Sequence, residues 1–181
     1  FIKGMGRREE GFVIGLDAFN RELLNCIPGA DGHRFHPLLE YPEIARPASG
    51  FPAFDDLLGA AHRQLADAPE PPDAIIGYWD FPTTGLLPVL QRQFGLRGAT
   101  PEAVARCEHK HWSRLEQSAV VPEVVPRWQA LDPFAADPAA RLELPYPFWL
   151  KPVKAHSSFL GFRVHGPGQL ARVLEIVRAH I

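Results

Sequence analysis

The stretch PYPFWLKPVKAHSSFLGFRV, Pro145 to Val164, decides how this chain is read. Phe148 to Val153 (FWLKPV) is an apolar run of β-forming residues and predicts a strand ending at a proline. A polar loop follows, Lys154-Ala-His-Ser-Ser158, and Phe159 to Val164 reads as the returning strand. Lys151 sits inside the apolar run, where an ammonium is costly unless it is paired. On an edge strand the side chain can simply snorkel to water. In a hairpin whose loop leaves backbone N–H groups free, the same lysine supplies a point charge for a phosphate.

Outward from this hairpin the pattern alternates. On its C-terminal side, Pro167 to Ile181 predicts an amphipathic helix with apolar residues at 170, 173, 174, 177 and 181. On its N-terminal side, Val124 to Trp128 reads as a strand and Asp132 to Arg141 as a loop or short helix. Thr100 caps a helix with Pro101 at its first position, and that helix is expected to run to about Ser118. Lys110 falls within it, in His109-Lys110-His111, and taken alone is a solvated helix lysine.

The first hundred residues repeat strand and helix. Gly11 to Asp17 reads as a buried strand and Ala18 to Ile27 as a helix with apolar residues at 19, 23, 24 and 27. After the turn Pro28-Gly-Ala-Asp-Gly32, His33 to Leu39 predicts a second strand. Phe54 to Ala68 predicts a helix, Asp73 to Trp79 a third strand, and Thr84 to Phe94 another helix. That alternation predicts a parallel sheet with helical crossovers. Asp80, directly after the third strand, stands where α/β ligand clefts form, although a turn or capping role is the favoured reading.

Composition narrows the function. The chain has 181 residues, 46% hydrophobic and 22% charged, and a net charge of −2. A chain of this size buries about 70% of its unfolded surface. Neither the charge nor any apolar run argues for nucleic acid or membrane as a partner. There is no GxxxxGK[ST], GxSxG or HExxH. Lys3-Gly4-Met5-Gly6 precedes the first strand, so it fails the context of a dinucleotide fingerprint. Cys26 and Cys107 lack CxxC spacing and read as two buried thiols in helices, in keeping with a reduced, cytoplasmic setting. No signal peptide is visible at Phe1, and without an initiator Met an upstream segment is expected.

Taken in order, these segments resemble the ATP-grasp superfamily. DAIIGYWDFPTTGLLPVLQRQFGL (Asp73 to Leu96) looks like the last strand and helix of a pre-ATP-grasp domain. GLRGATPEAVARCEHKHWSRL (Gly95 to Leu115) resembles the pattern in which that domain ends and a lysine-bearing helix begins. PYPFWLKPVKAHSSFLGFRV resembles the superfamily's lysine strand, phosphate-covering loop and returning strand, closest in style to biotin carboxylase and carbamoyl phosphate synthase. The resemblance implies an α/β fold with a Rossmann-like pre-ATP-grasp domain at 1–98. The first, lid-bearing half of an ATP-grasp domain would then occupy 99–181.

It also implies a carboxylate ligase in which ATP makes an acylphosphate for attack by an amine or other nucleophile. ATP and Mg2+ are the implied cofactors, and a homodimer is compatible. By resemblance Lys110 and Lys151 contact ATP phosphates, with Lys151 also near adenine. His156, Ser157 and Ser158 sit on the mobile loop and Gly161 at its return. The loop departs from the glycine-rich pattern of the family. The adenine hinge and magnesium ligands are expected beyond residue 181, so this chain alone is expected to be inactive. Two other readings stand beside the ligase: a non-catalytic α/β module binding a small ligand, and a degenerate regulatory ATP-grasp domain.

Overall fold

The computed structural model of the chain describes residues 7–45, 47, 50–155 and 157–181. Contacts divide it into two units, one ending at Val104 and the other running from Ala105 to Ile181. The first is built on a parallel three-stranded sheet crossed by helices, so the chain is an α/β protein.

In the first unit β1 (Glu9–Ile14) lies between β2 (His33–Leu38) and β3 (Ala74–Gly77), parallel to both, with Phe12 opposite His36 and Ile75. A central parallel strand is covered on both faces and so carries a near-continuous apolar run; Phe12, Val13 and Ile14 are all buried. Helix α1 (Ala18–Asn25) begins at Asp17, whose Oδ1 accepts from the Asn20 amide at 2.8 Å. A short α2 (Tyr41–Ala45) follows β2; the sequence pattern gives no sign of it. Helices α3 (Phe54–Ala66) and α4 (Thr83–Gln93) then pack on the sheet.

Leu57, Ala61 and Leu65 recur at four-residue spacing along α3. They meet Leu86 and Leu90 of α4 and Phe12, Ile14, Leu38 and Ile75 of the sheet in one buried cluster. Each large aliphatic side chain buried there contributes about 1.5–3 kcal/mol. Glu10 carries its charge into the interior, where it accepts from Arg34 Nη1 at 3.1 Å and lies 2.5 Å from His36 Nε2. By contrast α1 buries none of its residues. Phe19 is 68% exposed and Leu23 51%, so its amphipathic pattern finds no counterpart among the described residues.

Helix α5 (Pro101–Glu108) opens at Thr100, whose Oγ1 accepts from the Ala103 amide at 3.1 Å. The single helix expected to Ser118 is in fact two. His109 is extended, with φ −74° and ψ 109°, and caps α6 (Lys110–Val120). The expected strand from Val124 to Trp128 is absent. Pro122 and Pro126 each lack a backbone donor, and Pro122–Val124 forms a 3-10 turn instead.

The hairpin is shorter than the sequence suggests. Strand β4 (Phe148–Leu150) pairs antiparallel with β5 (Phe162–Val164). Pro152 has no N–H for a ladder, so Lys151 lies just past β4 and not inside it. Phe148 and Leu150 on β4, with Phe162 and Val164 on β5, pack onto α7 (Pro167–His180) through Leu170, Val173, Leu174 and Val177. The two cysteines correct another expectation: both are free and exposed. Among the described residues no helix is long and apolar enough to cross a membrane.

Candidate functional site

The second unit gathers most of the predicted site residues around the end of the β4–β5 hairpin. Lys110 is the first residue of α6, and it holds the segment that leaves β4 at two points. Its amide donates to the Val153 carbonyl at 3.0 Å, and its Nζ donates to the Ala155 carbonyl at 3.2 Å. Next to this tie, Lys154 Nζ bonds Glu108 Oε2 at 2.5 Å. The break in the helix at His109 therefore has a tertiary cause: the Lys110 amide is spent on the hairpin exit and not on a continuing helix.

Lys151 stands two residues before Val153, exposed, with Nζ 5.4 Å from the centre of the Trp149 ring. Its Cγ would be 3.9 Å from a β-carbon on Gly161, so the two sides of the loop are in reach of each other here. Between them the chain turns sharply. Ser157, Ser158 and Leu160 take φ values of 47°, 60° and 53°, and the Gly161 amide donates to the Ser158 carbonyl at 2.9 Å. Left-handed backbone is where glycine is at home, and a β-carbon there costs about 1–2 kcal/mol per residue. The loop thus keeps a glycine-loop shape with serine and leucine in it. His156 lies outside the described residues, as do Lys3, Gly4, Met5 and Gly6.

Sequence reading missed two residues. Directly paired residues of an antiparallel ladder share a face, so Trp149 and Arg163 stand side by side. Their face is opposite to that of Phe148, Leu150, Phe162 and Val164, which go to the core. Trp149 is 63% exposed, and Arg163 is exposed as well. Period-two alternation through Phe148-Trp-Leu-Lys151 already puts Trp149 and Lys151 on one side. The apolar character of Phe148, Trp149 and Leu150 alike hides that alternation in the sequence. Among the described residues neither Lys151 nor Arg163 makes an ion pair, and both stand beside an exposed indole.

Asp80 behaves as a turn residue. Its Oδ1 accepts from the Phe81 amide at 2.8 Å and its carbonyl from the Thr83 amide at 2.9 Å. Nearby, at the carboxyl ends of β1 and β3, the Tyr78 hydroxyl and Trp79 Nε1 both donate to the Gly15 carbonyl, at 3.0 and 3.1 Å. Gly15 has φ 67°, and a β-carbon on it would press on the Trp79 ring at 3.0 Å, so the position requires glycine. Asp17 accepts from the Asn20 amide and side chain and from the Tyr78 hydroxyl, which lowers its pKa below the ordinary 3.8. These bonds brace the sheet edge.

A cavity of about 310 Å3 in the second unit, lined by Ser118, Pro122, Arg127, Trp128, Gln129 and Glu143, shares no residue with the lysine face. Among the described residues no group of three His, Cys, Asp or Glu side chains is arranged to hold a metal. Comparisons with family models, curated proteins and solved structures find no match to this chain.

Proposed function

We propose that the second unit binds a nucleoside triphosphate, ATP in the first instance, as the lid-bearing half of an ATP-grasp carboxylate ligase. In this reading the first unit is the Rossmann-like pre-ATP-grasp domain. The observation that carries the proposal is the tie from Lys110 to Val153 and Ala155, because it couples one lysine to the very segment that begins with the other. The remaining parts fit a triphosphate. Lys110 and Lys151 supply positive charge, Ser157 and Ser158 supply hydroxyls on a tight turn, and Trp149 offers a stacking surface for the base. A module that used only the first unit's strand ends would need no relation between the two lysines.

The chemistry proposed is transfer of the ATP γ-phosphoryl group to a carboxylate, giving an acylphosphate that an amine or other nucleophile attacks. The lysines would offset charge on the transferring group, and the hairpin loop would shield the acylphosphate from water. Among the described residues no group of three His, Cys, Asp or Glu side chains is placed to hold the magnesium. Thermal denaturation with added Mg-ATP tests the reading. At 100 times its Kd a ligand of the folded state adds about 2.7 kcal/mol of stability. A raised midpoint with Mg-ATP, smaller with AMP at equal concentration, is expected. An unchanged midpoint up to millimolar Mg-ATP would count against it.

A further inference from the structure

We infer that Arg163 reads the base of the bound nucleotide; this deepens the proposed function and rests on it. The hairpin has two chemically distinct ends. At the loop end are Lys151, the Lys110 tie and the Ser157–Ser158 turn, all suited to phosphates. Two residues back along the strand, about 7 Å at the usual rise, the outward face consists of Trp149 and its direct ladder partner Arg163. A nucleotide whose phosphates occupy the loop end lays its base over Trp149, which brings the base edge beside the guanidinium. Arginine is a donor-only group with a planar fork, so it suits the N7 acceptor on the outer edge of a purine, where cytosine presents only its N4 amino donor.

Two features separate Arg163 from an ordinary surface cation. Its guanidinium pairs with no carboxylate among the described residues, so its hydrogen-bonding capacity is free for a ligand. Its backbone is also fixed beyond the ladder. The Gln169 side chain, in the first turn of α7, donates to the Arg163 carbonyl at 3.0 Å and accepts from the His165 amide at 2.9 Å. That clamp holds the end of β5 and limits where the arginine can reach.

The test is calorimetric titration of Mg-ATP, Mg-CTP and inorganic tripolyphosphate into wild type, Arg163→Ala and Arg163→Lys, with circular dichroism to establish folding. Expected for Arg163→Ala is a roughly tenfold weaker affinity for ATP, an unchanged affinity for tripolyphosphate, and a smaller preference for ATP over CTP. Arg163→Lys, which keeps charge and stem, should remain folded and recover only part of the preference. Equal losses for ATP and tripolyphosphate would make Arg163 a phosphate contact and overturn the base assignment. Unchanged ATP binding would overturn it too and leave the proposed function standing. A folded wild type that binds neither ATP nor tripolyphosphate would remove both.

Discussion

A β-carbon placed on Gly77, the last residue of β3, would overlap the Thr83 Cγ2 methyl outright, while Thr83 Cβ would be an ordinary 3.9 Å away. Thr83 opens α4 and is only 1% exposed, so its side chain has no free space to turn into. Gly77→Ala therefore forces the strand end and the helix start apart. Overpacking of this kind costs about 1–3 kcal/mol. Glycine replacement at a residue with φ below zero returns about 0.4–1 kcal/mol through the unfolded chain. The expected net loss is about 1 kcal/mol.

Thr83→Ala removes the obstructing methyl and also a buried hydroxyl that has no partner among the described residues. Losing a buried methyl costs about 0.8 kcal/mol, and shedding an unsatisfied hydroxyl offsets it by at least as much, so that variant should be near neutral. In the double variant the two β-carbons sit at normal contact, and most of the loss should be recovered, a coupling of about 1 kcal/mol. Urea unfolding of the four proteins, followed by circular dichroism and fluorescence, measures it. Additive losses in the double variant, or a harmless Gly77→Ala, would refute the account of how β3 meets α4.

Other expectations concern the loop and the sheet edge. Ser158→Gly removes a β-carbon from a residue at φ 60° and should raise stability by up to about 1 kcal/mol, read by thermal or urea unfolding. A loss of stability would show that the serine makes a compensating contact. Asp17 has its folded pKa depressed by the Asn20 bonds, below 3.8, so its contribution is complete above about pH 4 and is lost as pH falls through the lower folded value. Asp17→Asn keeps an N-cap acceptor and should flatten the stability profile on that acid side relative to wild type. Identical acid profiles would contradict the assignment.

Much of the fold can be read from the chain because its signals are local and mutually consistent. The run Gly11-Phe-Val-Ile-Gly must be a central strand to bury Phe12, Val13 and Ile14, and the spacing of Leu57, Ala61 and Leu65 leaves α3 one face to bury. What escapes the sequence depends on contacts distant along it. Nothing in Glu-His-Lys-His-Trp announces a break at His109, since the cause is a bond from Lys110 to Val153. The exposure of Phe19, Leu23 and Cys26 is equally non-local, because among the described residues nothing buries the apolar side of the helix.

The site shows the same division. Lys151 stands out as a lysine within an apolar run, while Lys110 and Gly161 are singled out only by the resemblance to the ATP-grasp pattern. Trp149 and Arg163 emerged only when the register of a three-residue hairpin paired them. So short a strand gives barely one period of alternation, too little to separate a buried run from a half-exposed one. The left-handed turn at Ser157, Ser158 and Leu160 is likewise silent in sequence, where glycine is the usual sign of such a conformation.

The most direct test of the nucleotide-binding proposal is calorimetric titration of Mg-ATP into wild type and Lys151→Ala. The account predicts measurable binding by wild type and a roughly tenfold weaker affinity in the variant, equivalent to about 1.4 kcal/mol. A folded wild type that takes up no Mg-ATP, or binding indifferent to Lys151, would contradict it.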